Sequence, residues 1–326
     1  MKIPRRQFLH LAGISAALTA VPRAATAQTY PARPVRMIVP YGPGGIADVL
    51  ARLIAQKLSE HLEKQFYIEN VPGAGGNIGM GRAARSAPDG YTILIVSPNF
   101  VTNPALYDKV PYDPYKDFEP VTLVATNTVA LTVNPSLPVQ TANELVALIR
   151  ANPGKYNYAS PGTGTTAHLV GQLFRLSLGL DLAHVPFNSL GLAIGSVVAG
   201  HTPIAFGGLP VVVPQAREGN LRVLAVTSKT RSQAAPDVPT MAEAGYPDIE
   251  GENWAAFLVP ARTSREIITL LHREVVNIIA LPDVKEHLAT LGLEPVGITP
   301  EQCAAQIRAE IAKWAKVISE AGIRAQ

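Results

Sequence analysis

Two short stretches of this sequence combine the residue types needed to hold an anion without a formal positive charge. The first is Pro40-Tyr41-Gly42-Pro43-Gly44-Gly45-Ile46-Ala47-Asp48; the second is Ser160-Pro161-Gly162-Thr163-Gly164-Thr165-Thr166-Ala167-His168. Each follows a predicted strand and opens a predicted helix. A glycine turn at that junction gathers backbone N–H groups at a helix N-terminus, where the aligned peptide dipoles leave partial positive charge. Either stretch alone reads equally well as a tight strand-to-helix connection, with Asp48 satisfying N-terminal donors. Two such loops from two lobes can grip one anion from both sides. Neither contains Arg or Lys, so hydrogen bonds rather than an arginine clamp are the expected chemistry.

Other chemistries find little support. There is no Gly-x-Ser-x-Gly elbow and no Walker sequence. The histidines are scattered, and none of them has metal-ligand spacing to another His, Cys or acid. His168, His184 and His201 are the ones near candidate ligand loops. The run Gly162-x-Gly164-x-x-Ala167 fits the short dinucleotide fingerprint, and Asp181 lies near the spacing of a ribose-binding acid. Asp181, however, opens the following strand instead of closing it, which points it away from a crevice. Gly79-x-Gly81-x-x-Ala84 fits the same pattern with no acid at the right distance. The single cysteine, Cys303, excludes an intramolecular disulfide and reads as a small, partly buried helix residue. No cofactor and no metal are expected.

The elements that must position the two turns follow from apolar periodicity. Val35–Val39, Phe66–Glu69 and Tyr91–Val96 read as strands, with a helix after Val49 and a short one over Ile78–Ser86. Strand and helix alternate, as at the start of a doubly wound sheet, where ligands sit beyond the carboxyl ends of strands. The loops Pro40–Ala47 and Ser97–Asn103 therefore face one crevice. Residues 104–120 read as an irregular surface segment. Val121–Ala125 and Val129–Val133 read as two short strands around 126–128, where the chain crosses into a second lobe. That lobe repeats the alternation, with strands at Tyr156–Ala159, Pro203–Gly208 and Leu221–Thr227, and Asn253–Val259 follows as a late strand. Capping boxes are expected at Thr141–Glu144, Thr240–Glu243, Thr263–Glu266 and Thr299–Gln302.

The chain opens with Lys2, Arg5 and Arg6, an apolar run over Leu11–Ala20, and Ala25-Thr-Ala27, which reads as a twin-arginine export signal over residues 1–27. Four of the 28 basic residues and none of the 25 acids lie there, so 24 basic residues remain against 25 acids and the net charge falls from +3 to −1. The basic balance belongs to the leader, and nothing argues for nucleic acid. An exported α/β enzyme and a receptor signalling to a membrane kinase remain alternatives to a binding protein.

Several motifs in order resemble one family, the extracytoplasmic solute receptors of tripartite tricarboxylate transporters. They are Pro43-Gly-Gly-x-x-Asp48-x-x-Ala51-Arg52, Asn70-x-Pro-Gly-Ala-Gly-Gly-Asn77-x-Gly79, Tyr158-Ala-Ser160-x-Gly162-x-Gly164-Thr-x-x-His168-Leu169, Val185-Pro186-Phe187, Pro236-Asp-Val-Pro-Thr240-x-x-Glu243-Ala-Gly245-Tyr246 and Glu310-x-x-x-Trp314. The resemblance implies an α/β, two-lobed type II periplasmic-binding-protein fold: two doubly wound sheets, with the ligand cleft between lobes formed by 28–127 with 229–326 and by 128–228. It also implies a periplasmic monomer that carries a small organic carboxylate to membrane permease subunits. The implied ligand-binding positions are Tyr41, Gly44, Gly45, Ile46, Ala47 and Asp48; Ser97, Pro98 and Asn99; and Ser160, Gly162, Thr163, Gly164, Thr165 and Thr166. Phe187, Asn188, Phe206 and Gly207, at strand exits of the second lobe, complete the set. Asp48 reads mainly as a helix-start residue that shapes its loop.

Where the family usually has Tyr-Lys-Gly after Val-Pro, this chain has Phe187-Asn188-Ser189, and the aspartate a few residues on is replaced by Ser196. A lysine and an aspartate are gone together, which argues for a less polar pocket suited to an aromatic or longer-chain acid. Thermal-shift screening of the mature protein should show stabilisation by such acids. Stabilisation by citrate with no response to them would contradict that reading.

Overall fold

The computed structural model describes residues 30–325, so the expected export signal lies outside the described residues. A compact unit begins at Arg33. Its first part runs β1 (Val35–Val39), α1 (Ile46–Leu62), β2 (Phe66–Asn70), a 3-10 turn at Ala74–Gly76, α2 (Asn77–Ala84), β3 (Thr92–Val96), α3 (Asn99–Leu106) and β4 (Phe118–Val133). Every residue of β3 and all but one of β1 are buried, as expected of parallel strands covered on both faces. The chain continues through α4 (Ala142–Ala151), β5 (Tyr156–Ser160), α5 (Thr166–Ser177), β6 (Leu182–Pro186), α6 (Leu190–Val198), β7 (Ile204–Gly208), α7 (Leu209–Arg217) and β8 (Arg222–Val226). It ends with β9 (Glu252–Pro260), α8 (Arg265–Ala280), α9 (Pro282–Thr290), β10 (Glu294–Pro295) and α10 (Pro300–Ala321).

The strands pair in the order β2-β1-β3-β9-β4-β7-β5-β6, with β8 and β10 also on β4. β4 belongs to both halves. Its residues 118–128 pair with β9, and its residues 129–133 pair with β7 and β8. β1, β2 and β3 are mutually parallel; β9 is antiparallel to both β3 and β4, so β4 runs with β3. β7 is antiparallel to β4 and parallel to β5, which is parallel to β6. The carboxyl ends of β1 and β3 therefore face those of β5 and β7 across the middle of β4. Val96 of β3 lies level with Ala256, which sits opposite Leu123, whereas Gly208 of β7 lies opposite Val129. Six residues at about 3.3 Å each set the two edges about 20 Å apart along β4.

The structure corrects several expectations. Residues 118–133 form one strand, because Thr126, Asn127 and Thr128 stay in register with Trp254, Asn253 and Glu252 and no turn interrupts them. The segment after Ser97 is helical from Asn99 rather than a loop. Its helix contains Pro104, which has no N–H to offer the Phe100 carbonyl, and the Tyr112 hydroxyl donates to that carbonyl at 3.0 Å instead. Tyr112 and Phe118, in the segment read as irregular surface, are buried against Phe100 with ring centroids 5.3 and 5.5 Å from it. Ser264 rather than Thr263 caps α8, while Thr263 donates back to the Pro260 carbonyl at 2.7 Å. Thr240 and Glu243 exchange the expected two hydrogen bonds, but around a turn, not a helix. At Thr141 the Glu144 carboxylate reaches past the cap to the Gln140 N–H. The full box forms at Thr299 with Gln302.

Beside the crossing, β4, β9, β10 and α10 line a cleft of about 900 Å³ in which Glu250, Glu252, Glu294 and Glu310 converge. Burial, reinforced by the other three carboxylates, lifts Glu252 to about 7. A raised carboxylate means the folded state holds its proton more tightly than the unfolded chain. The stability this provides is complete below the ordinary Glu value near 4.5 and is lost as pH rises through about 7. Raising the pH from 5 to 8 should cost wild type on the order of 1–2 kcal/mol, or a few degrees of Tm. Glu252→Gln should flatten that dependence in a calorimetric series; an unchanged slope would refute the assignment.

Candidate anion-binding site

Both glycine turns lie at the facing strand ends, and the same first bond, from a glycine N–H to a side chain four residues on, builds each. In the first, Gly44 takes φ +85°, a conformation open to glycine, and its N–H donates to Asp48 Oδ2 at 3.0 Å. One turn further along α1, Arg52 donates to both carboxylate oxygens, at 2.9 and 3.0 Å. In the second, Gly164 takes φ +80° and its N–H donates to His168 Nδ1 at 3.0 Å. One turn further along α5, the Gln172 side-chain nitrogen lies 3.3 Å from His168 Nε2. In each turn a glycine N–H is thus captured by a buried side chain four residues on. In the first, that side chain is itself held by Arg52 four residues beyond; in the second, Nδ1 accepts, Nε2 carries the ring proton, and Gln172 packs beside it.

The electrostatics differ between the two. Arg52, aided by the Gly44 N–H and Asn70, outweighs burial and holds Asp48 at about 2. Asn70 also donates to Asp48 Oδ1 at 2.8 Å and to the Tyr41 carbonyl at 3.1 Å, tying the turn to the end of β2. Burial drives His168 down to about 3, with His184 adding to the effect. His184, stacked on it at 3.9 Å, is pushed by burial to about 4. His184 Nε2 meets Ser160 Oγ at 2.7 Å. That serine is fully buried and its histidine is a weak base, so the pair holds the turn's first residue in place rather than presenting a nucleophile.

With Gly44 and Gly164 committed internally, the donors left for a ligand are those of the helix first turns. Gly45 begins α1 without a side-chain cap, and the N–H groups of Ile46, Ala47 and Asp48 have no acceptor within the helix. Thr165 caps α5 by accepting from His168 N–H, leaving Thr166 and Ala167. Gly44, Gly45 and Ile46 are exposed at the gap, and Thr163 is exposed opposite. Tyr41 reaches across to Ser97, hydroxyl to hydroxyl at 2.6 Å, and Ser97 lies 3.5 Å from Asn99 Oδ1, joining the ends of β1 and β3. Pro98, buried, starts α3. Phe187 is half-buried, with its N–H on the Ser160 carbonyl at 3.0 Å, and Asn188 is exposed beside it. Asn99 and Asn103 share a cleft of about 280 Å³ with Thr163, Gly164 and Thr165, so residues of the two halves meet there.

Two expected positions do not reach the gap. Phe206 is fully buried against Tyr158 and Phe174. A Cβ on Gly207 would lie 2.9 Å from Leu190 and 3.1 Å from Ile194, so this glycine serves the close packing of α6 on β7. Strand alternation points them to opposite faces of β7, and both faces are covered. Sequence reasoning set Asn103 only at the end of the crevice-facing stretch Ser97–Asn103, not among the binding positions, and missed Leu106 and Arg324 as cleft residues. Helical spacing from Asn99 could have found Asn103; nothing local marks Arg324, which is brought from the far end of the chain. Among the described residues no cluster of His, Cys, Asp and Glu could hold a metal.

Fold and site together define a two-lobed α/β solute-binding protein with its cleft at facing strand ends. The chain belongs to the tripartite tricarboxylate transporter family receptors, whose pattern matches residues 50–323. It is 37% identical over 320 residues to BugT of Bordetella pertussis, covering 98% of each chain. Among solved structures it is similar to R. palustris Rpa4515 with adipate (35% identity, 90% of this chain and 99% of that one, TM-score 0.73). It is also similar to MatC from Rhodopseudomonas palustris with bound malate (30%, 89% and 100%, TM-score 0.69). An unliganded TctC solute binding protein from Polaromonas matches with TM-score 0.82 at 27% identity, covering 90% of this chain and all of that one.

Asp48→Ala leaves the Gly44 N–H, Arg52 and Asn70 without their shared acceptor. Urea unfolding at pH 7 should show a loss of roughly 2–3 kcal/mol. The difference from wild type should narrow as pH falls below about 4 towards 2, where wild type loses the same contribution. A loss below about 0.5 kcal/mol would show that the ladder does not hold the turn.

Proposed function

We propose that this protein captures a small organic carboxylate in the periplasm and delivers it to the membrane subunits of a tripartite tricarboxylate-type transporter. The observation that carries the reading is the pair of facing glycine turns, each locked by its own side-chain ladder and each leaving helix N-terminal donors towards the same gap. Such donors suit a carboxylate. The adipate and malate held by the two R. palustris relatives support the ligand class. Two further similar structures, a periplasmic transporter (38% identity, TM-score 0.73) and the periplasmic binding protein BugD (31%, TM-score 0.70), support the compartment. The sequence is nearer to the adipate receptor than to the malate one, in line with a less polar pocket.

Ligand capture proceeds by rotation of two lobes, 28–127 with 229–326 and 128–228, about the β4 crossing and the return from β8 to β9. Two observations support this. The chain superposes better on the unliganded relative than on the two acid complexes, although its identity to the unliganded one is lower. Ile46 and Leu192, at the first turns of helices on either side of the gap, are 49% and 58% exposed, an apolar surface that closure would cover.

Mass spectrometry of small molecules released from the purified mature protein should identify an organic acid. Solution X-ray scattering should show a smaller radius of gyration when that acid is restored. A released molecule with no acid group, or an unchanged radius at saturation, would refute the reading.

A further inference from the structure

The two turns carry no lysine or arginine, yet one cation reaches the cleft that the second turn shares with α3. After α10, Gly322 takes φ 63° and the Ile323 N–H returns to the Ile318 carbonyl at 3.0 Å. The Ala325 N–H then donates to the carbonyl of Leu106, the last residue of α3, at 3.0 Å. That bond pins Arg324 at the wall of the 280 Å³ cleft shared by Asn99, Asn103 and Thr163–Thr165. Among the described residues lining that cleft, Arg324 is the only charged side chain. Its partner is Asp108, 3.3 Å away, and the two side chains are 80% and 95% exposed. An ion pair so exposed is weak and readily exchanged for another carboxylate.

We propose that Arg324 is a specificity-determining residue: it pairs with the second carboxylate of a linear diacid whose first carboxylate rests at the helix N-termini. This rests on the carboxylate-receptor reading above and adds how that site selects among acids. α3 supplies the spacing. Asn99 stands at its start, beside Ser97 and its bond to Tyr41 of the first turn, and Leu106, which anchors the Arg324 segment and packs against Gly164 of the second turn, ends it. Seven residues at about 1.5 Å each place the two ends about 10 Å apart. A short diacid held at the first site falls short of Arg324, and a monoacid of any length has nothing to offer it. A diacid of intermediate length meets both.

Titration calorimetry on wild type, Arg324→Gln and Asp108→Asn tests this with linear diacids from succinate to suberate and the monoacids of matching length. Arg324→Gln should weaken the best diacid about tenfold and its monoacid less than about twofold. Asp108→Asn, which frees Arg324, should tighten the diacid severalfold. Binding of diacids by wild type with no loss in Arg324→Gln, or equal losses for diacid and monoacid, would overturn the role of Arg324 alone. Wild-type protein that binds none of these acids would overturn both this inference and the reading beneath it.

Discussion

Everything at this site depends on one strand being shared by two half-sheets that run in opposite senses. β4 travels with β1 and β3 in its first part and against β5 and β7 in its second. Had β7 and β5 run parallel to β4, the second glycine turn would lie at the far end of its half-sheet, away from the first. The antiparallel pairing from Val129 to Gly208 brings them face to face. Because residues 126–128 stay in the ladder with β9, the crossing is an extended, hydrogen-bonded ribbon rather than a loose linker. Asn127 and Asn253 bond side chain to side chain there at 3.0 Å.

The turns then face a problem common to anion sites built from backbone. Glycine provides the conformations that expose N–H groups, but glycine is also the residue with the most freedom to lose. The ladders from Gly44 to Asp48 and from Gly164 to His168 settle that cost during folding, so less ordering is left for the ligand to impose. They do so with opposite chemistry. Asp48 is a buried anion next to a site for an anion, tolerable because Arg52 grips both of its oxygens. His168 does the same task as a neutral ring, kept neutral by burial and by the stacked His184. An anion held at the proposed site meets a neutralised ion pair on one side and an uncharged pair of rings on the other.

Much of this was legible in the sequence, because strand, glycine turn and helix each leave a local signature. Val35–Val39, the turn at 40–48, the Ser160–His168 turn and the Thr299 box depend on neighbours within about ten residues, and they fall where those neighbours put them. The larger errors share a cause: each was decided by residues outside the local segment. Tyr112 lets Pro104 stay in a helix by taking over the Phe100 carbonyl. β9 keeps 126–128 extended although Thr-Asn-Thr suggests a break. α6 claims Gly207, and the core claims Phe206. Arg324 reaches the cleft through a hydrogen bond to Leu106, more than two hundred residues earlier, and no motif could announce it.

The most direct test of the two-sided grip is a crystal structure of the complex with the acid the protein binds most tightly. One ligand carboxylate should lie within hydrogen-bonding distance of the Ile46 and Ala47 N–H groups on one side and of the Thr163–Thr166 turn on the other, directly or through a single water. A ligand held by one turn alone, with the other making no contact to it, would contradict the account.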